Sequence, residues 1–104
     1  MSAVAYTVSV TFPTPEIMRE YVEWLEDGHV DQVIAHGAHS AMIVELDRTG
    51  PKDPCRVEVR YIFPTRALFD RYIEQFAPGL RADGLKRFPA ERGVTFERLT
   101  GNVI

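Results

Sequence analysis

The chain predicts an α+β fold, a ferredoxin-like β-α-β-β-α-β plait in which a four-stranded antiparallel sheet carries its helices on one face. Three observations point there. Two segments, Val4 to Phe12 and Arg56 to Phe63, alternate bulky with small or charged residues at period 2, as half-buried strands do. Each is followed by Pro and Thr and then by apolar residues at helical spacing, and each of those helices meets a glycine-marked bend before a further strand.

In the first strand Val4, Tyr6, Val8, Val10 and Phe12 share one face, and Ala5, Thr7, Ser9 and Thr11 share the other. Pro13-Thr14-Pro15 ends it, with Thr14 as the N-cap and Pro15 in the first helical turn, where a missing N–H does no harm. Ile17, Met18, Tyr21, Val22, Trp24 and Leu25 form the apolar stripe of the first helix. Asp27-Gly28 interrupts it, and a short second helix runs from His29 to His36 before Gly37, which suits a left-handed C-cap. Ala38 to Leu46 supplies the second strand, with Ser40, Met42, Val44 and Leu46 expected in the core. Thr49 to Pro54 has the composition of a connecting loop. After the third strand, Leu68, Phe69, Tyr72, Ile73 and Phe76 face the core from another helix. Ala77-Pro78-Gly79 ends that helix or bends it into a further piece reaching Phe88, and a last strand fits Val94 to Leu99.

Composition bounds the function. The length of 104 residues, with 45% hydrophobic and 26% charged side chains, suits one domain over residues 1–104. Twelve Lys and Arg against fifteen Asp and Glu leave a net charge of −3, which gives no general attraction to phosphate backbones, so nucleic acid is not an expected partner. Apolar runs stop at four residues, as in Ala3–Tyr6, far short of the roughly 20 that span a bilayer, so no membrane partner is expected either. The first basic residue is Arg19 and Cys55 is the one cysteine. A secretory leader and an intrachain disulfide are thus unsupported, and the expected location is cytoplasmic.

If the helices cover one sheet face, the other carries a mixed set: Ala5, Thr7, Ser9, Thr11, Arg56, Glu58, Arg60 and Ile62. Two copies meeting there would hide it and close an α/β barrel, so a homodimer through the open face is expected. On that face Glu58 lies between Arg56 and Arg60, an arrangement that holds an anionic ligand or forms an ion-pair ladder.

Candidate chemistry is sparse. His29, His36 and His39 fall within eleven residues, but no Cys or paired acidic motif completes a metal-ligand spacing, and no metal site is assigned. His29 has the intrinsic pKa of a general acid or base, set against the capping or packing role usual for a His at a helix start. Cys55 lacks a nucleophile signature, and no phosphate-binding glycine motif occurs, so no cofactor is expected. Trp24 sits on an apolar stripe, where packing competes with ligand stacking.

Trp24-Leu25-Glu26-Asp27-Gly28-His29, continuing to Gly37, and Ala77-Pro78-Gly79-Leu80-Arg81-Ala82-Asp83-Gly84-Leu85-Lys86-Arg87-Phe88 resemble two motifs of a family of small bacterial proteins catalogued as a domain of unknown function. The resemblance covers nearly the whole chain and implies a ferredoxin-like fold, generally a dimeric α/β barrel, with no established activity. His36 and His39 stand where that family carries Thr and an aromatic residue, so it implies no three-histidine metal site. His29 and Arg81 are the matched polar groups able to do chemistry. The expected function is binding of a small organic ligand, with His29 as the candidate catalytic residue and Arg81, Arg60 and Trp24 as candidate ligand contacts. Two alternatives stand beside it: a cofactor-independent monooxygenase- or isomerase-like enzyme, and a non-catalytic interaction or regulatory module.

Overall fold

In the computed structural model, which describes residues 2–104, the elements run β1 (Val4–Phe12), α1 (Pro15–Trp24), α2 (Val30–Ala35), β2 (Ser40–Glu45), β3 (Cys55–Phe63), α3 (Arg66–Arg71), α4 (Ala77–Arg87) and β4 (Thr95–Asn102). The strands form one antiparallel sheet in the order β2-β3-β1-β4, the ferredoxin-like plait. The last strand extends three residues beyond Leu99, to Asn102.

Both helical layers start the same way. Thr14 and Thr65 adopt extended backbone, and their hydroxyls accept from the N–H groups of Ile17, at 3.3 Å, and Leu68, at 3.1 Å. Each satisfies a donor that the first helical turn leaves unpaired. Both layers also bend the same way, through a five-residue π-type turn: Leu25–His29 joins α1 to α2 and Tyr72–Phe76 joins α3 to α4. The N–H of Val30 reaches back to the carbonyl of Leu25 and that of Ala77 to Tyr72, one residue further than an α-helical bond. In the first turn Gly28 sits at φ +125°, a conformation that side chains with a Cβ rarely adopt.

The core lies between helices and sheet. Val4, Tyr6, Val10 and Phe12 from β1 and Val57, Val59, Tyr61 and Phe63 from β3 are buried against Met18, Tyr21, Leu25, Val33, Phe69 and Tyr72. Burial of each large apolar side chain contributes ~1.5–3 kcal/mol. Cys55 is buried at the start of β3.

The strand β2 corrects the expected parity. Ala41 and Ile43, not Met42 and Val44, pack toward the core, because they lie directly opposite Tyr61 and Val59 on β3, and antiparallel partners share a face. Met42 is 59% exposed on the open face. Both parities of this segment hold apolar residues, so alternation alone leaves the choice open, and pairing with β3 decides it.

Candidate functional site

A cleft opens on the helical side of the sheet, between β1 and β4 below and the two π-type turns and α4 above. Its lining comes from every layer: Tyr6 and Val8 of β1, Tyr61 of β3, Phe96 and Arg98 of β4, Tyr21 and Trp24 of α1, and Leu80, Arg81, Gly84 and Leu85 of α4. The two turns contribute His29 and Tyr72. The bends that interrupt the helices therefore deliver side chains to the site. The interior is narrow, about 30 Å³ and room for about two water molecules, and reaches about 460 Å³ when its mouth open to solvent is counted.

One wall is aromatic. Trp24 and His29 stack with ring centroids 4.1 Å apart and planes at 24°. Tyr21 continues that wall, 5.7 Å from Trp24 and 5.3 Å from Phe88. Gly84 makes the arrangement fit, since a Cβ there would lie 3.2 Å from Cη2 of Trp24. His29 precedes α2 directly but makes no capping hydrogen bond through its side chain. Burial lowers its pKa to about 4, with the Asp83 carboxylate acting in the opposite direction. At neutral pH His29 is an uncharged imidazole.

The other wall is polar. Arg81 donates from Nη2 to the hydroxyl of Tyr6 at 3.1 Å, while its buried Nε has no acceptor. Arg98 stands at the mouth with its guanidinium 5.6 Å from the Phe96 ring. Burial pushes the Tyr72 hydroxyl up to about 12, with the Tyr6 hydroxyl adding to the shift and Arg81 and Arg98 opposing it. Tyr21 and Tyr61 are raised further, again by burial. Tyr21, Tyr61 and Tyr72 are thus neutral donors at physiological pH. Outside the cleft, on the far side of His29, Asp27, Gln32, Asp83 and Arg87 form a second, polar depression.

The fold brings together three of the four sequence-derived candidates, His29, Arg81 and Trp24, from segments more than fifty residues apart. It does not bring Arg60 with them. Arg60 pairs with Thr7 on β1 and projects from the opposite face of the sheet, where it forms a 2.8 Å ion pair with Glu58. The other histidines also diverge: His36 stacks on Phe76 at 3.9 Å and His39 is exposed. Among the described residues no group of three or more His, Cys, Asp or Glu has a metal-binding arrangement.

Sequence reasoning missed Arg98 and the tyrosine hydroxyls. The signal for Arg98 was present: on a strand it shares the face of Phe96 two residues before it. Alternation places Tyr6 and Tyr61 on the correct sheet face and helical spacing places Tyr21 and Tyr72 on apolar stripes, in each case as bulk alone, which overlooks the polar end of each ring.

These features define a class, the ferredoxin-like plaits with a side-chain-lined cleft between sheet and helices. Within it, residues 4–103 match the domain of unknown function DUF4286, and the chain belongs to that family. The curated proteins give no match. Among solved structures, similar folds include a dimeric ferredoxin-like protein from an uncultured marine organism, 16% identical with a TM-score of 0.76, over 100% of this chain and 97% of that one. Another is a monooxygenase of Streptomyces coelicolor in complex with nanaomycin D, 12% identical with a TM-score of 0.72, over 99% of this chain and 88% of that one. A third is SnoaB, a cofactor-independent oxygenase from Streptomyces nogalater, 17% identical with a TM-score of 0.62, over 100% of this chain and 95% of that one. At these identities the likeness is one of fold.

Proposed function

We propose that this protein binds a small organic molecule in the cleft between sheet and helices, as a cytoplasmic homodimer joined through the open sheet face. The observation that carries the binding reading is the convergence of His29, Arg81 and Trp24 on one aromatic-walled cleft. Concave sites with apolar walls and a few converging polar groups are the usual form of a small-molecule site. The interior has room for only about two water molecules, so this reading requires Leu80 and the exposed Leu85, which line it, to shift outward for a ring. The non-catalytic module is less well supported, because it leaves a half-buried His29 that makes no capping bond and an unpaired Arg81 Nε without a role.

The dimer reading rests on the open face and on a relative of the same fold described as dimeric. Met42 and Leu99 are 59% and 52% exposed on that face, one on each edge strand, around the polar rows of β1 and β3. Burying them against a second copy removes apolar surface from water and covers the face. The lone, buried Cys55 suits a reducing compartment.

A second reading, a cofactor-independent oxygenase- or isomerase-like enzyme, is favoured by one observation: an uncharged imidazole and a guanidinium share the cleft. His29 would take a proton from the bound molecule and Arg81 would hold the resulting anionic oxygen. The two solved oxygenases lend this reading an analogy of fold only.

Native mass spectrometry of the purified protein tests the main reading. A dimer retaining a small organic mass supports it, and the double variant Met42→Glu with Leu99→Glu is then monomeric. A wild-type monomer that retains nothing overturns both halves. For the enzyme reading, His29→Ala abolishes turnover of a substrate found by screening while fold and dimer persist; unchanged turnover removes His29 from the chemistry.

A further inference from the structure

We propose that the ligand of this cleft carries an acidic group, a carboxylate or an ionised enol or phenol on a planar body, and that Arg81, Arg98 and the hydroxyl of Tyr6 hold that group. This deepens the binding reading and rests on it.

The argument starts from charge. The chain is acidic overall, with fifteen carboxylate residues against twelve Lys and Arg. The cleft reverses that balance, since two arginines line it and no Asp or Glu does. Outside the cleft four of the eight arginines pair with carboxylates, Arg19 with Glu16, Arg60 with Glu58, Arg87 with Asp83 and Arg92 with Glu20. Arg48 donates to backbone carbonyls and Arg66 to the Asn102 amide. Among the described residues neither Arg81 nor Arg98 has such a partner. Arg81 is half-buried, and its single hydrogen bond is to a neutral hydroxyl.

A guanidinium removed from water without a counter-charge is unfavourable, and an anion placed against it offsets that cost. Arg81 has one donor left over for this. Nε of Arg81 is buried and without an acceptor, and Nε with one terminal nitrogen forms the fork that matches a carboxylate. Tyr6, having accepted from Arg81, still has its own proton to donate. Arg98 at the mouth adds a second positive charge on the path of entry. The remaining wall is flat and aromatic, with Trp24 stacked on His29 and Tyr21 beside it, which suits a planar body over a flexible chain.

The test uses the full chain and two isosteric probes, benzoate and benzamide, with the indole N–H resonance of Trp24, the single tryptophan, as reporter. Benzoate is expected to shift that resonance saturably and to bind at least tenfold more tightly than benzamide. Arg81→Met should abolish the preference, bringing benzoate binding down to the level of benzamide in the same variant. Arg98→Met, at the exposed mouth, should weaken benzoate severalfold and serves as the second variant if Arg81→Met does not fold. Equal binding of the two probes overturns the acid selection and leaves the binding site standing. Preference for benzoate that survives both substitutions overturns the assignment to these arginines. Binding of neither probe overturns the proposal; a retained ligand in native mass spectrometry would then show that the binding reading stands without it.

Discussion

Trp24 and His29 lie face to face across the π-type turn that separates α1 from α2, their centroids 4.1 Å apart. The contact packs an ionisable ring beneath an indole, and burial outweighs what a charged imidazole would gain there. A cation over an aromatic face is worth ~0.5–1 kcal/mol at exposed sites, and the Asp83 carboxylate also favours the charged form, yet the pKa still falls to about 4.

Stability should therefore fall in acid through His29. Unfolded, the ring titrates near 6.5; folded, near 4. Between these values the unfolded chain binds the extra proton, so the folded state loses up to about 1.4 kcal/mol per pH unit as pH drops, and nothing further below 4. Residual contact with water reduces the sum to ~1–3 kcal/mol. Urea unfolding at pH 7 and pH 4.5 should show a larger loss for the wild type than for His29→Gln; equal losses would mean that the ring is not buried in solution.

Gly28 should be hard to replace. At φ +125° a Cβ strains the backbone even though no atom lies within 4 Å of where it would stand. Gly28→Ala should cost about 1–3 kcal/mol, and it should also disturb the neighbouring His29. Denaturation midpoints give the first effect. A downfield-shifted or broadened Trp24 indole resonance gives the second.

Thr14 carries the start of α1 on a single hydroxyl, accepting from Ile17 at 3.3 Å. Thr14→Ala should destabilise by ~1 kcal/mol, and Thr14→Ser, which keeps the acceptor, by much less. Thermal unfolding of both variants checks this, and a loss equal in the two would point to the methyl group instead of the cap.

The caps, the Gly28 bend and the strand faces of Tyr6 and Tyr61 were legible in the sequence because each depends on local chemistry: an oxygen before a helix, a residue without Cβ, an alternation of bulk. The parity of Ile43 against Met42 was not, because it is set by the pairing of β2 with β3. Arg60 shows the same limit at the site. Its alternation with Glu58 and Ile62 put it on a sheet face correctly, but that is the face away from His29 and Arg81. Two matched motifs whose starts lie more than fifty residues apart in sequence suggested that His29 and Arg81 belong together, whereas Arg98 lies in neither motif and enters the cleft through the pairing of β4 with β1.

Gly84 tests whether the cleft wall is as tight as it looks. An Ala there gains helix propensity, ~1 kcal/mol over Gly in a helix interior, but its Cβ meets Cη2 of Trp24 at 3.2 Å, tighter than ordinary contact. Overpacking costs ~1–3 kcal/mol, so the two effects nearly cancel, and Gly84→Ala should change stability by less than ~1 kcal/mol in either direction. Gly84→Val keeps the collision, adds two methyls and gains less propensity than Ala. It should destabilise by ~2 kcal/mol or more and push Trp24 off His29, which would raise the imidazole pKa toward 6.5 as water reaches the ring. Nuclear magnetic resonance titration of His29 in the two variants separates these outcomes. A Gly84→Val protein with unchanged stability and an unchanged His29 titration would mean that α4 sits further from Trp24 than the 3.2 Å approach requires.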